Sequence, residues 1–368
     1  MFLAIRDIRF AKGRFALMGG VVALITLLLV MLSGLTAGLG NQSTSAIAAL
    51  PADEIAFGAP AGSDAKASFT ESEVSSAQVA EWSGRSGIAS AQALGVNQTR
   101  IQALGAGGAP AATTNVAVFG VGEDRGSHNI APAPVAGGTV VIGESLAKDL
   151  DLTVGGRATV GGTELMVSAV VPDQWYSHTG VVWTSLEDWR RLAHITSKEA
   201  KGTVIAVTFD AGASVDVDAA NAAAGTVSAT REGSFQALGS YKSENGSLML
   251  MQAFLYGISA LVIVAFLTVW TVQRTRDIAV LKAMGGSSGY VLKDAMVQAA
   301  IVLLAGAAFG GGVGVIGGYF AAQAAPFLVT AATTLLPIAG IVLLGLAGAT
   351  LAVRSISRVD PLIALGGN

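Results

Sequence analysis

Few residues in this chain of 368 sit in patterns that could make or break a bond. No lysine follows a glycine, so the G-K-[ST] core of a Walker A phosphate loop is absent, as is HExxH. With no cysteine, thiolate catalysis, disulfides, Fe–S clusters and zinc–thiolate sites are excluded. Glu144, Asp149 and Asp151 fall in one short stretch, which reads as solvated surface rather than as a catalytic group. Of the histidines, His128, His178 and His194, only His178 has neighbours of interest, because Trp175 and Tyr176 could form a stacking wall beside it. Side chains able to donate to a metal gather elsewhere: Tyr241, Glu244, Met249 and Met251, then Tyr256, with Met31 at the matching height of an earlier apolar run. Met249, Gln252 and Tyr256 recur at spacing three and seven and share a helical face. Each has an ordinary alternative, since tyrosine anchors helices at membrane interfaces and methionine fills gaps in packing.

The elements that must position these groups are mostly apolar. Hydrophobic residues make up 52% of the chain, charged ones 13%, and the mean hydropathy is +0.60, against roughly a quarter charged for soluble domains. Residues 15–40, 245–273 and 295–353 carry no charge, and an apolar run of about 20 residues spans the hydrocarbon core of a bilayer. The last run is too long for one span and breaks near 323–326. Four spans are therefore expected: TM1 at 15–40, TM2 at 248–273, TM3 at 291–323 and TM4 at 330–353. The first is not read as a signal peptide, whose apolar core is about 7–15 residues. Gly34 and Gly38 on TM1 have the spacing of a close helix seam, suited to a dimer, and Gly310, Gly314 and Gly318 repeat it on TM3. No charge lies within these uncharged runs, so a proton relay has no residues to use there.

Outside residues 41–247 ten Lys/Arg face four Asp/Glu, whereas inside that range 12 basic residues face 21 acidic ones. Basic residues stay on the cytoplasmic side, so both termini and the 274–290 loop are expected inside, with 41–247 outside the cell membrane. Residues 1–14, apolar and basic in alternation, read as a cytoplasmic amphipathic helix, and 354–368 as a cytoplasmic tail.

Within 41–247, Thr70 and Glu73 form a capping-box pattern before Val74, Val79 and Trp82, which predicts a short helix there. Val- and Thr-rich runs at 88–104, 115–122, 140–142, 158–160, 164–171, 180–184 and 204–209 read as strands. The expected fold class is thus a membrane α-helical protein of four TM helices with a large α+β extracytoplasmic domain between TM1 and TM2.

The loop 274–290 has its own pattern. Thr275 can cap a helix with Asp277 in the first turn, Ile278, Leu281 and Met284 follow at spacing three, and Gly285 and Gly286 stop it. That is a two-turn amphipathic helix between spans: a solvated anchor or a surface that docks on a partner. The run resembles the signature loop of FtsX-like and MacB-like transporter permeases, close to R-E-I-G-x-L-[RK]-A-[ML]-G-A-S. Arg276, Ile278, Leu281, Lys282, Ala283, Met284, Gly285 and Ser287 match it, while Asp277 replaces the commoner Glu and Gly286 the commoner Ala. Residues 140–171 resemble the small β module of MacB-like domains, and the end, with Asp360-Pro361, is similar to the D-P-x-x-A-L tail of the family.

The resemblance implies the permease subunit of an ABC-type exporter, a homodimer in membrane lipid, with no cofactor of its own and no nucleic-acid partner. ATP and Mg²⁺ would be bound by a separate cytoplasmic ATPase in two copies, touching Arg276, Asp277, Ile278, Leu281, Lys282, Met284 and Gly285. The layout, including Tyr241-x-x-Glu244 just before TM2, is most similar to the haem-exporter permeases of Gram-positive bacteria. Haem or a similar amphipathic toxic compound would then be the substrate, held by Tyr241, Glu244, Met249, Met251, Tyr256 and Met31, with Tyr241, Glu244 and Met249 as possible iron ligands. A transmitter of signal or force, and a permease for peptides or drugs, remain the alternatives.

Overall fold

The computed structural model describes residues 12–60, 62–104, 110–122, 129–197, 199–273, 280, 284 and 288–356. In chain order its elements are α1 (Lys12–Ala48), β1 (Glu54–Phe57), β2 (Val74–Ser75), α2 (Ser76–Ser83), β3 (Ile88–Leu104), β4 (Pro110–Val121), β5 (Thr139–Gly143), α3 (Glu144–Asp149), β6 (Arg157–Val160), β7 (Thr163–Val171), β8 (Trp175–Tyr176), β9 (Thr179–Ser185), α4 (Leu186–Leu192), β10 (Ala200–Gly202), β11 (Val204–Phe209), α5 (Val217–Ala224), β12 (Val227–Thr230), α6 (Gly239–Gln273), α7 (Ser288–Ala321) and α8 (Ala331–Ile356). They fall into two compact units, one made of Met1–Leu39 with Gly246–Asn368 and one of Gly40–Asn245.

The first unit is helical. α1, α6, α7 and α8 each contain a span of mean hydropathy 2.1 or more, long and apolar enough to cross a membrane. Small residues set the contact of α7 with α1. A Cβ on Gly310 would stand 2.1 Å from the Ala23 carbonyl oxygen, and one on Gly306 2.7 Å from that of Gly19, so the two backbones nearly touch. The Gly34–Gly38 seam is used differently from the dimer contact its spacing suggested. The Phe327 ring fills the notch at Gly34, the Pro326 carbonyl lies 2.0 Å from where a Gly38 Cβ would be, and the Leu328 N–H donates to the Gly34 carbonyl at 3.1 Å. The seam thus receives the chain's own turn between α7 and α8. That turn ends in a reciprocal cap, in which the Thr330 N–H donates to the Thr333 hydroxyl (2.9 Å) and the Thr333 N–H to the Thr330 hydroxyl (3.1 Å).

The second unit is an α/β domain built along β3. The first half of this strand pairs with β11, which continues through β1 to β12, all antiparallel. Its second half pairs with β4 on one side and β6 on the other, and the order β3-β4-β9-β5-β7-β6 returns to β3. Those six strands close into a small barrel, with parallel pairs at β4–β9 and β5–β7. Val116, Val118, Val140, Ile142, Val160 and Val182 fill it, all fully buried. β-Branched side chains at alternate positions are what a barrel interior selects.

The polar ends of α1 and α6 stay helical past the apolar runs because this domain buries them. Ala46 and Ile47 are fully buried among Leu50, Phe57, Phe119 and Trp183, and Tyr241 packs on the same cluster. The expected helix after Thr70 begins later. Its N-cap is Ser75, in a capping box with Gln78, because Val74 is fully buried and held in β2 opposite Gly202. β1 and β12 carry no strand signal in the sequence: β1 is four residues buried on both faces, which show no alternation, and β12 is equally short.

Glu54, in β1, is 8% exposed and its Oε2 has no partner among the described residues. Burial pushes its pKa up, the Asp53 charge pushes the same way, and a Ser228 hydrogen bond opposes both. The folded-state value therefore exceeds the unfolded one, and stability falls as pH rises through the interval between them. Glu54→Gln is expected to raise the thermal midpoint at pH 7 and to lose that advantage below pH about 4.3, where the unfolded chain also holds the proton. Melting curves of both proteins at pH 4 and pH 7 check it.

Candidate functional site

β8 and β9 are joined by two residues, Ser177 and His178, both with positive φ (46° and 62°), as a type I′ hairpin requires. The turn bonds to the polar end of α1. The Ser177 N–H donates to the Ser43 carbonyl (3.1 Å), the His178 N–H to the Gln42 carbonyl (2.9 Å) and the Trp175 N–H to the Ser45 hydroxyl (2.9 Å). It also reaches the start of α6, where the Ser177 and Ser240 hydroxyls lie 3.1 Å apart.

The same turn aims the imidazole of His178. Its Nε2 is 2.8 Å from Glu244 Oε2 and 3.1 Å from the Ser43 hydroxyl. With His178 31% and Glu244 40% exposed, the pair is solvated enough to contribute about 0–1 kcal/mol, so it orients these side chains more than it stabilises the fold. Tyr241, one turn before Glu244, sets its ring edge-on to Phe235 at 5.9 Å and lies against Gly40. The imidazole of His178 and the carboxylate of Glu244 thus meet, with the Tyr241 phenol one helical turn away on α6. Sequence reasoning picked out Tyr241 and Glu244 by position and His178 by its aromatic neighbours. Nothing in the sequence joins the two sets.

The stacking wall expected beside His178 does not form. Tyr176 is buried among Phe69 and Phe119, edge-on to both at 5.9 and 5.5 Å, and burial pushes its hydroxyl pKa up. Glu144, Asp149 and Asp151 are exposed, as their surface reading expected. Among the described residues no three His, Cys, Asp or Glu side chains group as a metal site.

The remaining candidates lie in the helical unit. Tyr256 packs on α8, where a Cβ on Gly340 would approach its ring to 2.9 Å, and Gln252 donates to the Thr36 hydroxyl of α1 at 3.2 Å. Met249, on the same face of α6, is 61% exposed, and Met251 on the other side 56%. Met31 faces α7, its sulfur 3.6 Å from where a Gly317 Cβ would be. Of the loop expected to meet an ATPase, Arg276, Asp277, Ile278, Leu281, Lys282 and Gly285 lie outside the described residues, as do His128, residues 1–11 and the tail from 357. Met284 is described; it is 73% exposed and its N–H donates to the Val280 carbonyl at 3.0 Å.

Two family models match the chain: the MacB-like periplasmic core domain over residues 15–227 and the FtsX-like permease C-terminal over 249–361. A "Putative hemin transport system permease protein HrtB" of Staphylococcus haemolyticus is 24% identical over 385 residues, spanning 100% of this chain and 99% of that one. A protein of the same description from Staphylococcus epidermidis is 25% identical over 241 residues, 64% of this chain and 65% of its own length, so the match spans just under two thirds of that relative. Among solved structures, the periplasmic region of MacB from Actinobacillus actinomycetemcomitans is 12% identical at a TM-score of 0.35, over 50% of this chain and 92% of that one. The extracellular domain of the transporter YknZ from Gram-positive bacteria is 12% identical at a TM-score of 0.32, over 48% of this chain and 98% of that one.

Proposed function

This chain belongs to the family of permeases that join a MacB-like periplasmic core domain to an FtsX-like C-terminal half, and we propose that it is the membrane subunit of an ABC-type exporter for haem or a similar amphipathic toxic compound. It works as a homodimer with two copies of a separate cytoplasmic ATPase. The ATPase docks on the 274–290 loop and supplies the energy, and the α/β domain faces outward, as the basic excess of the loop and termini supports.

The observation that carries the haem reading is the donor set around Glu244. Its carboxylate is one turn from Tyr241 and bonded to His178, and phenolate, carboxylate and imidazole are groups that ligate haem iron. Met31 on α1 and Met249, Met251 and Tyr256 on α6 are further donor-bearing residues of the apolar runs. The curated relatives described as hemin transport permeases support the same substrate class.

Titrating the purified full-length protein with haem tests it. A saturable Soret shift is expected, weakened about tenfold or more by Glu244→Ala and Tyr241→Phe and less by Met249→Ala, since losing one strong ligand contact is worth on the order of a decade in affinity. Saturable binding untouched by all three changes would refute this site. No saturable binding would remove haem as substrate and leave the transmitter or peptide-export reading in its place.

A further inference from the structure

The α/β domain holds a cavity of about 390 Å³ that Tyr241, Glu244 and His178 do not line. That is the size of a small-ligand pocket. Phe69, Tyr176 and Trp189 give it aromatic walls, all but fully buried in the domain.

The indole of Trp189 is fixed in place. It lies over Gly95 and Gly120, which face each other across β3 and β4; a Cβ on either would come within 2.1–2.2 Å of Trp189. α4 is held beneath it by its Ser185 N-cap and by Asp188, whose carboxylate accepts from the Ser185 hydroxyl and the Gly138 N–H at 2.8 Å each. The opposite wall is equally tied, since the Thr203 hydroxyl bonds both the N–H and the carbonyl of Val96.

Against these satisfied walls, two polar atoms on cavity-lining residues have no partner among the described residues: the Trp189 indole N–H and Asn97 Oδ1. Both are sealed from solvent in this conformation, so a ligand reaches them only where the half-buried Asn97 side chain turns aside. One open donor and one open acceptor match an amide, which offers a carbonyl to the indole and an N–H to Asn97. Among the described residues the ionisable lining groups besides Tyr176 are Glu71 and Glu73, and no described Lys, Arg or His lines the cavity. Arg190, beside Trp189 in sequence, turns its guanidinium to the carbonyls of Ala200 and Ser197.

We propose that this cavity binds a cationic peptide segment, its amide between Trp189 and Asn97, an apolar side chain on the aromatic walls and its positive charge on Glu71 and Glu73. The site is separate from the one assigned to haem and does not rest on that reading.

The test uses the full-length protein labelled with 5-fluorotryptophan, its Trp189 fluorine resonance assigned by Trp189→Phe. The probes are the tripeptide amides Lys-Ala-Phe-NH2 and Glu-Ala-Phe-NH2. A saturable shift of the Trp189 resonance by the lysine peptide is expected, with the glutamate peptide at least about tenfold weaker, as a charge-assisted contact implies. Glu71→Gln with Glu73→Gln, the first exposed and the second half-buried, narrows that preference, and Asn97→Leu weakens both peptides. A Trp189 resonance unmoved by either peptide, or moved equally by both in wild type and in the Glu71/Glu73 variant, would overturn the proposal and leave a water-filled cavity.

Discussion

Gly310→Val is expected to destabilise the helical unit by about 3 kcal/mol, the upper end of overpacking costs, because the contact it invades is between backbones. The atoms nearest its new Cβ would be the carbonyl oxygen, carbonyl carbon and Cα of Ala23, at 2.1 to 2.8 Å. A flexible side chain could swing away from such a clash. A helix backbone cannot without moving the whole of α1. Gly312, two residues on, has nothing within 4 Å of its Cβ position. Thermal unfolding of the detergent-solubilised protein should therefore fall steeply for Gly310→Val and stay within about 0.5 kcal/mol for Gly312→Val, as surface changes do. Equal melting of both variants would mean that α1 and α7 do not approach as described.

The second large effect is expected in the barrel. Gly95→Val drives a side chain into the Trp189 ring, whose Cδ2 would lie 2.1 Å from the new Cβ, and the residue is 3% exposed and packed against Gly120 as well. A loss of about 3 kcal/mol follows from forced repacking of a core this close-packed. Because one contact is responsible, the effects should be strongly non-additive. Trp189→Leu alone costs a few kcal/mol through the cavity it leaves, but combined with Gly95→Val it should recover part of both losses. Denaturant unfolding of the four proteins in a double-mutant cycle reads the coupling, and simple additivity would contradict the stacked arrangement.

Much of the architecture was legible because its signals are local. The uncharged runs announce helices that cross a membrane, since every residue in them must tolerate hydrocarbon. The run at 88–104 is a strand over that whole range, and the one at 204–209 likewise. Both are flanked by Gly or turn residues and rich in Val, Ile, Ala and Thr, as half-buried strands are. β1 and β12 escaped because strands of four residues carry too few positions for a period to show.

The candidate site was legible only in part, for a different reason. Tyr241 and Glu244 stand out by their place before an apolar run, but the partner of Glu244 comes from a hairpin far back in the chain. What brings His178 there is a two-residue turn with both residues in the left-handed region, and serine and histidine are not the residues that advertise such a turn. The cavity beside Trp189 was invisible for the same reason: Gly95 and Gly120 mean nothing until the register of β3 on β4 sets them face to face.

By itself the sequence determined four runs apolar enough to cross a membrane, an α/β stretch between the first two of them, and an excess of basic groups at the termini and one loop. Hydropathy and charge act residue by residue and sum along the chain, so order in sequence is enough to read them. Only the tertiary structure decided what each small residue is for. The Gly34–Gly38 spacing would serve a second copy of the helix equally well, and it is the turn carrying Pro326 and Phe327 that occupies it. Close packing depends on which surface arrives first at a notch, and that is set by the fold of the whole chain rather than by the spacing of two glycines.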